Sequence, residues 1–365
     1  MQEDQRLNLL DKYILKEFFR FFIITFLAFI ALFLIVDFFE RIRMFLSHNA
    51  TMIQMASYFL FSIPMIISYV LPPTILLATL MTFSSLSKFS EVTAMKANGI
   101  NLYRMTLPVL IFASVTAVFY FCFTEMITPA SVQKTTYIKN VEVKKQKATG
   151  SFKQNEIWYH GDKVIYNFKM FDIEKNILQG IMINYLNNDF TLMSRIDAQS
   201  AEWKNNRWVF HNLLSTHFDD NHHPVLEWSE EKMVNIPEKP DDFKVMQKDV
   251  EKMGFFELRK YVRKIQSEGY DAKKYVVDLH GKIAFPFVML IMVFIAIPFS
   301  LRSERSGGVM QSIGIGIFIG FSYWIVHAFC MSLGKSEMLP AFLAAWAANI
   351  LFGAAAALFL YKVNT

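Results

Sequence analysis

The sequence predicts an α+β membrane protein, with six transmembrane helices split three and three around an inserted β domain of sandwich or jellyroll type. Three observations carry that reading. Of the 365 residues, 53% are hydrophobic and 37 are phenylalanine, which is too apolar for an ordinary soluble chain. The apolar residues gather in six runs, each near the roughly 20 residues that a helix needs to cross a bilayer. Between the third and fourth runs lies a polar stretch whose hydrophobic pattern is that of strands.

The runs cover approximately 18–36, 57–80, 105–124, 283–301, 309–334 and 338–361. The first reads as a span and not as a cleavable signal peptide. Its apolar core is too long, no small-residue cleavage site follows, and charge resumes at Asp37 and Glu40. The second run is unusual, since no charged residue occurs from Asn49 through Ser87 and Pro64, Pro72 and Pro73 interrupt it. A straight helix of that length overshoots a hydrocarbon core of roughly 30 Å, so a kinked helix with a membrane-surface extension is expected. The domain boundaries follow. Residues 1–130 carry the first three spans and a short helix near 87–98, residues 131–275 the β domain with an amphipathic helix near 254–269, and residues 276–365 the last three spans.

Within the insert, from Ser151 to Ile236, stretches such as KVIYNFKMFD, GIMINYL and RWVFHNLLSTHF are rich in β-branched and aromatic residues. Turn signals at 174–176, 187–189, 205–206 and 219–221 separate them, the pattern of an antiparallel sandwich or jelly roll. Four of the six tryptophans fall here: Trp158, Trp203, Trp208 and Trp228. Core packing accounts for most of them, with an open apolar groove for a lipid as the sharper alternative. After Pro237 and Pro240 the period changes. Phe255, Leu258, Val262 and Ile265 recur at helical spacing before Gly269, an amphipathic helix expected to pack under the β domain and lead into the fourth span.

A net charge of +5 does not imply nucleic acid once its distribution is read. From Glu125 to Lys282 there are 24 Lys/Arg against 23 Asp/Glu. Of the 13 basic residues elsewhere, ten flank one side of the membrane: Arg6, Lys12, Lys16, Arg20, Lys88, Lys96, Arg104, Arg302, Arg305 and Lys362. Only Arg41, Arg43 and Lys335 flank the other. The positive-inside rule then places both termini and the 87–104 and 302–308 loops in the cytoplasm, with the 125–282 segment outside. Cys122 and Cys330 both fall inside apolar runs, so the outside domain rests on its own core without disulfides.

Few motifs invite a chemical reading. GKS at 334–336 lacks the glycine five residues earlier that a phosphate-binding loop requires, since Phe329 stands there. The stretch HFDDNHH (217–223) has metal-ligand composition, but it is also the composition of a hairpin turn. No nucleophile, acid or base constellation is evident, so an enzyme is the least favoured class. Arg41 and Arg43 sit where the positive-inside rule disfavours them. They are either headgroup anchors or contacts for an anionic ligand, with Lys134 and Lys139 as further members of a ring and Asp37 as a partner. In SEVTAMKANG (90–99), Glu91 and Asn98 share a helical face with Ala94 and Met95. Ser87 or Ser90 can cap the start and Gly99 can stop the helix. A helix lying on the cytoplasmic surface fits this pattern, and an ordinary connecting loop is the plainer reading.

The residues LDKYILKEF (10–18), SIPMIISYVLPP (62–73), FSEVTAMKANGINLYRM (89–105), EMITP (125–129) and KIAFPFVMLIMVFIAIPFS (282–300) resemble the LptF/LptG permeases of lipopolysaccharide export. The likeness covers essentially the whole chain, and the pattern Ser90, Glu91, Met95, Ala97, Gly99 is its most specific part. The LDKY opening and the PF after the fourth span are closer to the LptG branch. The resemblance implies a multi-pass inner-membrane subunit of Gram-negative outer-membrane biogenesis, with a periplasmic β-jellyroll. It also implies pairing with an LptF-type permease, two LptB ATPase subunits that bind ATP and Mg, and LptC and LptA as onward carriers. This chain then binds no cofactor or metal itself. Glu91, with Met95, Asn98 and Gly99, matches the family's coupling helix, whose glutamate meets a basic residue of the ATPase. Arg43, Lys134 and Lys139 fall where the family's phosphate-binding ring occurs, whereas Asp37 and Met65 stand where basic residues are expected. Alternatives of other kinds are a permease for another lipid or a lipoprotein, and a membrane scaffold that does not transport.

Overall fold

The computed structural model describes residues 2–364 except 146–149, 154–155, 161–163, 173–175, 188–190, 205–206, 219–222, 235, 237–238, 241–252, 268–270 and 303–307. Ten α-helices and seven strands are present among the described residues, in an order that puts all the strands between the third and fourth spans. The helices are α1 (Gln2–Ser47), α2 (Met52–Lys88), α3 (Glu91–Ala97), α4 (Leu102–Met126), α5 (Thr128–Tyr137), α6 (Phe255–Ser267), α7 (Lys273–Ala284), α8 (Val288–Arg302), α9 (Gly308–Lys335) and α10 (Ala341–Asn364). Six segments are long and apolar enough to cross a membrane: Leu9–Ser47, Met52–Lys88, Leu102–Val143, Lys273–Leu301, Ile313–Lys335 and Ala341–Lys362. The chain is a multi-pass membrane protein of the α+β type.

The chain divides into a helical unit, Met1–Lys144 with Val250–Thr365, and a strand unit, Lys145–Asp249. In the helical unit α2 is the hub, packed against α1, α5, α8 and α9. It runs unbroken for 37 residues with Pro64, Pro72 and Pro73 inside it. At 1.5 Å per residue that is about 55 Å, so the overshoot expected from its length is present within one helix. Its start is fixed by a full capping box. Thr51 Oγ1 accepts from the Gln54 N–H, and Gln54 Oε1 accepts from the Thr51 N–H. Small residues let α9 approach α2 closely, for a methyl added at Gly316 would collide with Leu77 and Leu80. The fourth span is broken at its Pro286, where Phe285–Phe287 form a single 3-10 turn between α7 and α8. Beside that break Asn349 Nδ2 donates to the Ala284 carbonyl at 2.7 Å, and Asn349 Oδ1 accepts from Tyr323 at 2.7 Å. This buried polar link joins spans four, five and six.

The amphipathic helix expected with the β domain belongs instead to the helical unit. Its buried residues Leu258, Tyr261, Val262 and Ile265 form one face of α6, and Tyr261 meets Tyr275 of α7 edge-to-face at 5.2 Å. Five residues separate α6 from α7. That short tether keeps it beside the span it leads into.

The strand unit is a single antiparallel sheet of β1 (Gly150–Lys153), β2 (Glu156–His160), β3 (Val164–Asp172), β4 (Ile177–Leu186), β5 (Leu192–Lys204), β6 (Arg207–Phe218) and β7 (Pro224–Val234). Each strand pairs with the next in sequence, so the connectivity is a meander and not the crossed order of a Greek-key roll. Connections of two to five residues explain this, since they are too short to carry the chain past a neighbouring strand. One face closes on Tyr166, Phe168, Phe171, Leu178, Ile183, Trp208 and Phe210, all buried. The tryptophans divide. Trp208 is core and Trp203 packs on it at 5.1 Å. Trp228, on the edge strand β7, is 64% exposed beside Leu226 and Leu214.

Candidate functional site

Two polar clusters lie at opposite ends of the helical unit. The first surrounds α3. This short helix is entered through Ser90, whose left-handed φ of 59° leaves its side chain without a capping bond, so the expected serine cap is not formed at Ser90. The exit is as the glycine implies. Gly99 has φ +79°, with Gly99 N–H bonded to the Lys96 carbonyl at 2.9 Å and Ile100 N–H to the Met95 carbonyl at 3.0 Å. Val92 is buried and Met95 packs beside it against the core of the span bundle. The helical wheel had grouped Met95 with Glu91 and Asn98; in the fold it anchors the inner face. Thr93, Ala94, Lys96, Ala97 and Asn98 are exposed, and Asn98 Nδ2 donates to the Ala94 carbonyl at 2.8 Å, extending the cap.

Glu91 is held from behind. Tyr13 of α1 donates its hydroxyl to Glu91 Oε1 at 3.1 Å. Two residues earlier on α1, Asp11 accepts a two-point bond from Arg104 of α4, at 2.6 and 2.8 Å. These contacts tie α1, α3 and α4 into one layer, and bidentate guanidinium–carboxylate pairs fix orientation as well as proximity. Asp11, Tyr13 and Arg104 were not singled out by function in the sequence. For Asp11 and Tyr13 the signal was the LDKY stretch (10–13), and for Arg104 the 89–105 stretch, both of which carry the family resemblance.

The second cluster is at the other end of α1. Arg41 lies 2.5 Å from Asp37 and 5.4 Å from the ring of Tyr58 in α2. The expected pairing of Asp37 with an arginine is present, and it occupies Arg41. Arg43 is exposed. Close by, Phe45, Tyr58, Ile138 and Val143 form a small apolar cluster, and Gln54 Nε2 reaches the Glu142 carbonyl at 3.4 Å. This brings the π-helical turn Ile138–Val143, which carries Lys139, to the same end as Arg41 and Arg43. Lys134 is exposed one turn earlier, with its ammonium 5.2 Å from the Tyr137 ring centre.

Other motifs resolve into structure. Lys335 of the GKS tripeptide pairs with Asp278 at 2.8 Å, and Ser336 Oγ bonds the Leu333 carbonyl. The centre of the histidine-rich turn, residues 219–222, lies outside the described residues. Among the described residues no group of three metal-ligating side chains occurs. One further carboxylate has a clear task. Glu125, at the end of α4, accepts from the N–H groups of Phe255 and Phe256, the latter at 3.2 Å, and so caps α6.

Comparisons with known proteins identify the family of the whole chain. The family described as lipopolysaccharide export system permease LptF/LptG matches residues 12–362. The chain is 23% identical over 328 residues to a protein named lipopolysaccharide export system permease protein LptG of Escherichia coli strain K12, covering 88% of this chain and 89% of that one. It is 22% identical over 352 residues to the protein of the same name from Haemophilus influenzae, covering 95% and 96%.

Proposed function

Because the chain belongs to the LptF/LptG family of lipopolysaccharide export system permeases, we propose that it is one half of a permease powered by a separate ATPase. Lipopolysaccharide is taken from the outer leaflet of the inner membrane and passed along the strand unit. In this reading both termini and α3 face the cytoplasm and the strand unit faces the periplasm, in keeping with the bias of basic residues. A second, LptF-type permease completes the cavity. The first span favours this, since only 6% of its most apolar window is buried within the chain. α9 likewise presents Ile317, Phe318, Phe321, Ile325 and Phe329. LptC and LptA continue the path from the strand unit, whose β7 pairs only with β6 among the described residues and exposes apolar side chains.

The observation that carries the reading is the construction of α3. It is bolted inward by Val92 and Met95 and braced by Tyr13, yet open on the face of Ala94, Lys96 and Asn98. The chain has no phosphate-binding loop. Such a helix is a handle through which an LptB-type subunit, holding ATP and Mg, moves the first and third spans together. At the other end Arg43, Lys134 and Lys139 meet phosphate, while Arg41 is held by Asp37 and shapes the cluster.

Glu91→Ala in the reconstituted complex should lower transport-coupled ATP hydrolysis by about tenfold, within the usual range of coupling between sites, while the permease still inserts. Normal hydrolysis and normal export would refute the role of α3. Arg43→Glu should weaken photocrosslinking of lipopolysaccharide at that end several-fold and leave ATPase assembly intact. Unchanged crosslinking would leave Arg43 as a headgroup anchor.

A further inference from the structure

The helix α6 carries a polar surface to which the proposed function assigns no role. At 100° per residue, Phe256, Arg259, Lys260 and Arg263 fall within an arc of roughly 100°, opposite the buried face of Leu258, Tyr261, Val262 and Ile265. All four are exposed, and Phe256 is 61% exposed despite being a large aromatic. The level of this helix is fixed by its ends. Its first N–H groups are held by Glu125, the first charged residue after the third apolar run, which marks the boundary of the hydrocarbon. Its other end leads within six residues into the fourth span. The apolar face of α6 is spent on the bundle, so what it presents outward at the level of the bilayer boundary is one aromatic and three cations. Cations near such a surface are drawn to anionic headgroups and the aromatic to the headgroup layer.

We propose that the outward face of α6 docks on anionic glycerophospholipid headgroups of the surrounding bilayer, with Arg259, Lys260 and Arg263 contacting phosphate and Phe256 inserted between headgroups. The surface thereby holds the junction of spans three and four at a fixed depth, independently of any transported lipid.

The test uses the full-length chain in nanodiscs free of lipopolysaccharide, made of phosphatidylcholine alone or with phosphatidylglycerol, followed by native mass spectrometry of retained lipid. The wild type should retain phosphatidylglycerol over phosphatidylcholine. The triple variant R259Q/K260Q/R263Q should lose that retention by about tenfold or more, three cations each contributing several-fold. The charge-preserving R259K/R263K should keep it, and that separates loss of charge from loss of fold. Equal retention by the triple variant would overturn the proposal, as would a wild type indifferent to headgroup charge. Charge-dependent retention seen only after lipopolysaccharide is added would assign the surface to the transported lipid and overturn it equally.

Discussion

Gly254 has no room for a methyl group. A Cβ built there would sit 2.6 Å from the Glu125 carboxylate, which occupies the space in order to cap α6. A carboxylate at a helix N-terminus satisfies orphan N–H groups and complements the helix dipole. Glu125→Ala should therefore cost about 1 kcal/mol of stability, in the range for loss of an N-terminal cap, and Gly254→Ala should reproduce that loss by displacing the carboxylate. Hydrogen exchange across 255–267 in the full-length chain reads both, and rates equal to wild type would exclude the cap. None of this was legible beforehand. EMITP carries only a family resemblance and Gly254 no local signal, because the two partners lie 129 positions apart. Glu91 was different. Its place on a short helix could be read locally from the polar stretch and its glycine stop. Its bond to Tyr13 could not, since that partner lies 78 residues away on another helix.

At the scale of elements, the six spans were legible because a bilayer imposes length and composition on each of them separately. The strands were legible for the same local reason, through short turns and β-branched runs. What failed were inferences about which element joins which. The wheel of α3 grouped Met95 with Glu91, Ala94 and Asn98 and apart from Val92, whereas in the fold Met95 packs beside Val92 on the bundle, since a seven-residue helix offers too few turns to define a face. α6 was joined to the β domain because chain order places it between strands and spans, whereas Glu125 and Tyr275 hold it to the helices. Helix association in a membrane depends on close approach at small residues, a signal that single glycines give only weakly. Gly316 and Gly314 are two residues apart on α9. A Cβ at Gly316 would meet Leu77 and Leu80, while one at Gly314 meets nothing within 4 Å. Gly316→Leu should thus lower the thermal stability of the solubilised protein by about 1–3 kcal/mol, the usual cost of overpacking, and Gly314→Leu should leave it within about 0.5 kcal/mol. Equal effects would mean that α9 does not rest on α2 at this point.

The whole molecule is two cores in one chain. The helical unit gathers its buried residues around α2, and the strand unit around Tyr166, Phe168, Trp208 and Phe210. The strand unit contains neither of the two cysteines, so no disulfide supports it. A core of that kind behaves as a cooperative transition of its own when few contacts cross its boundary. Phe168 is 1% exposed, and Phe168→Ala removes a ring from a closed core at a cost of about 3–5 kcal/mol. Calorimetry of the full-length protein should show two transitions. Phe168→Ala should lower one of them by about 10–20 °C, given the sensitivity of domains of roughly 100 residues, and leave the other in place. Gly316→Leu should do the converse, and a reducing agent should move neither. A single transition displaced by both substitutions would show that the two cores unfold together and would overturn the prediction.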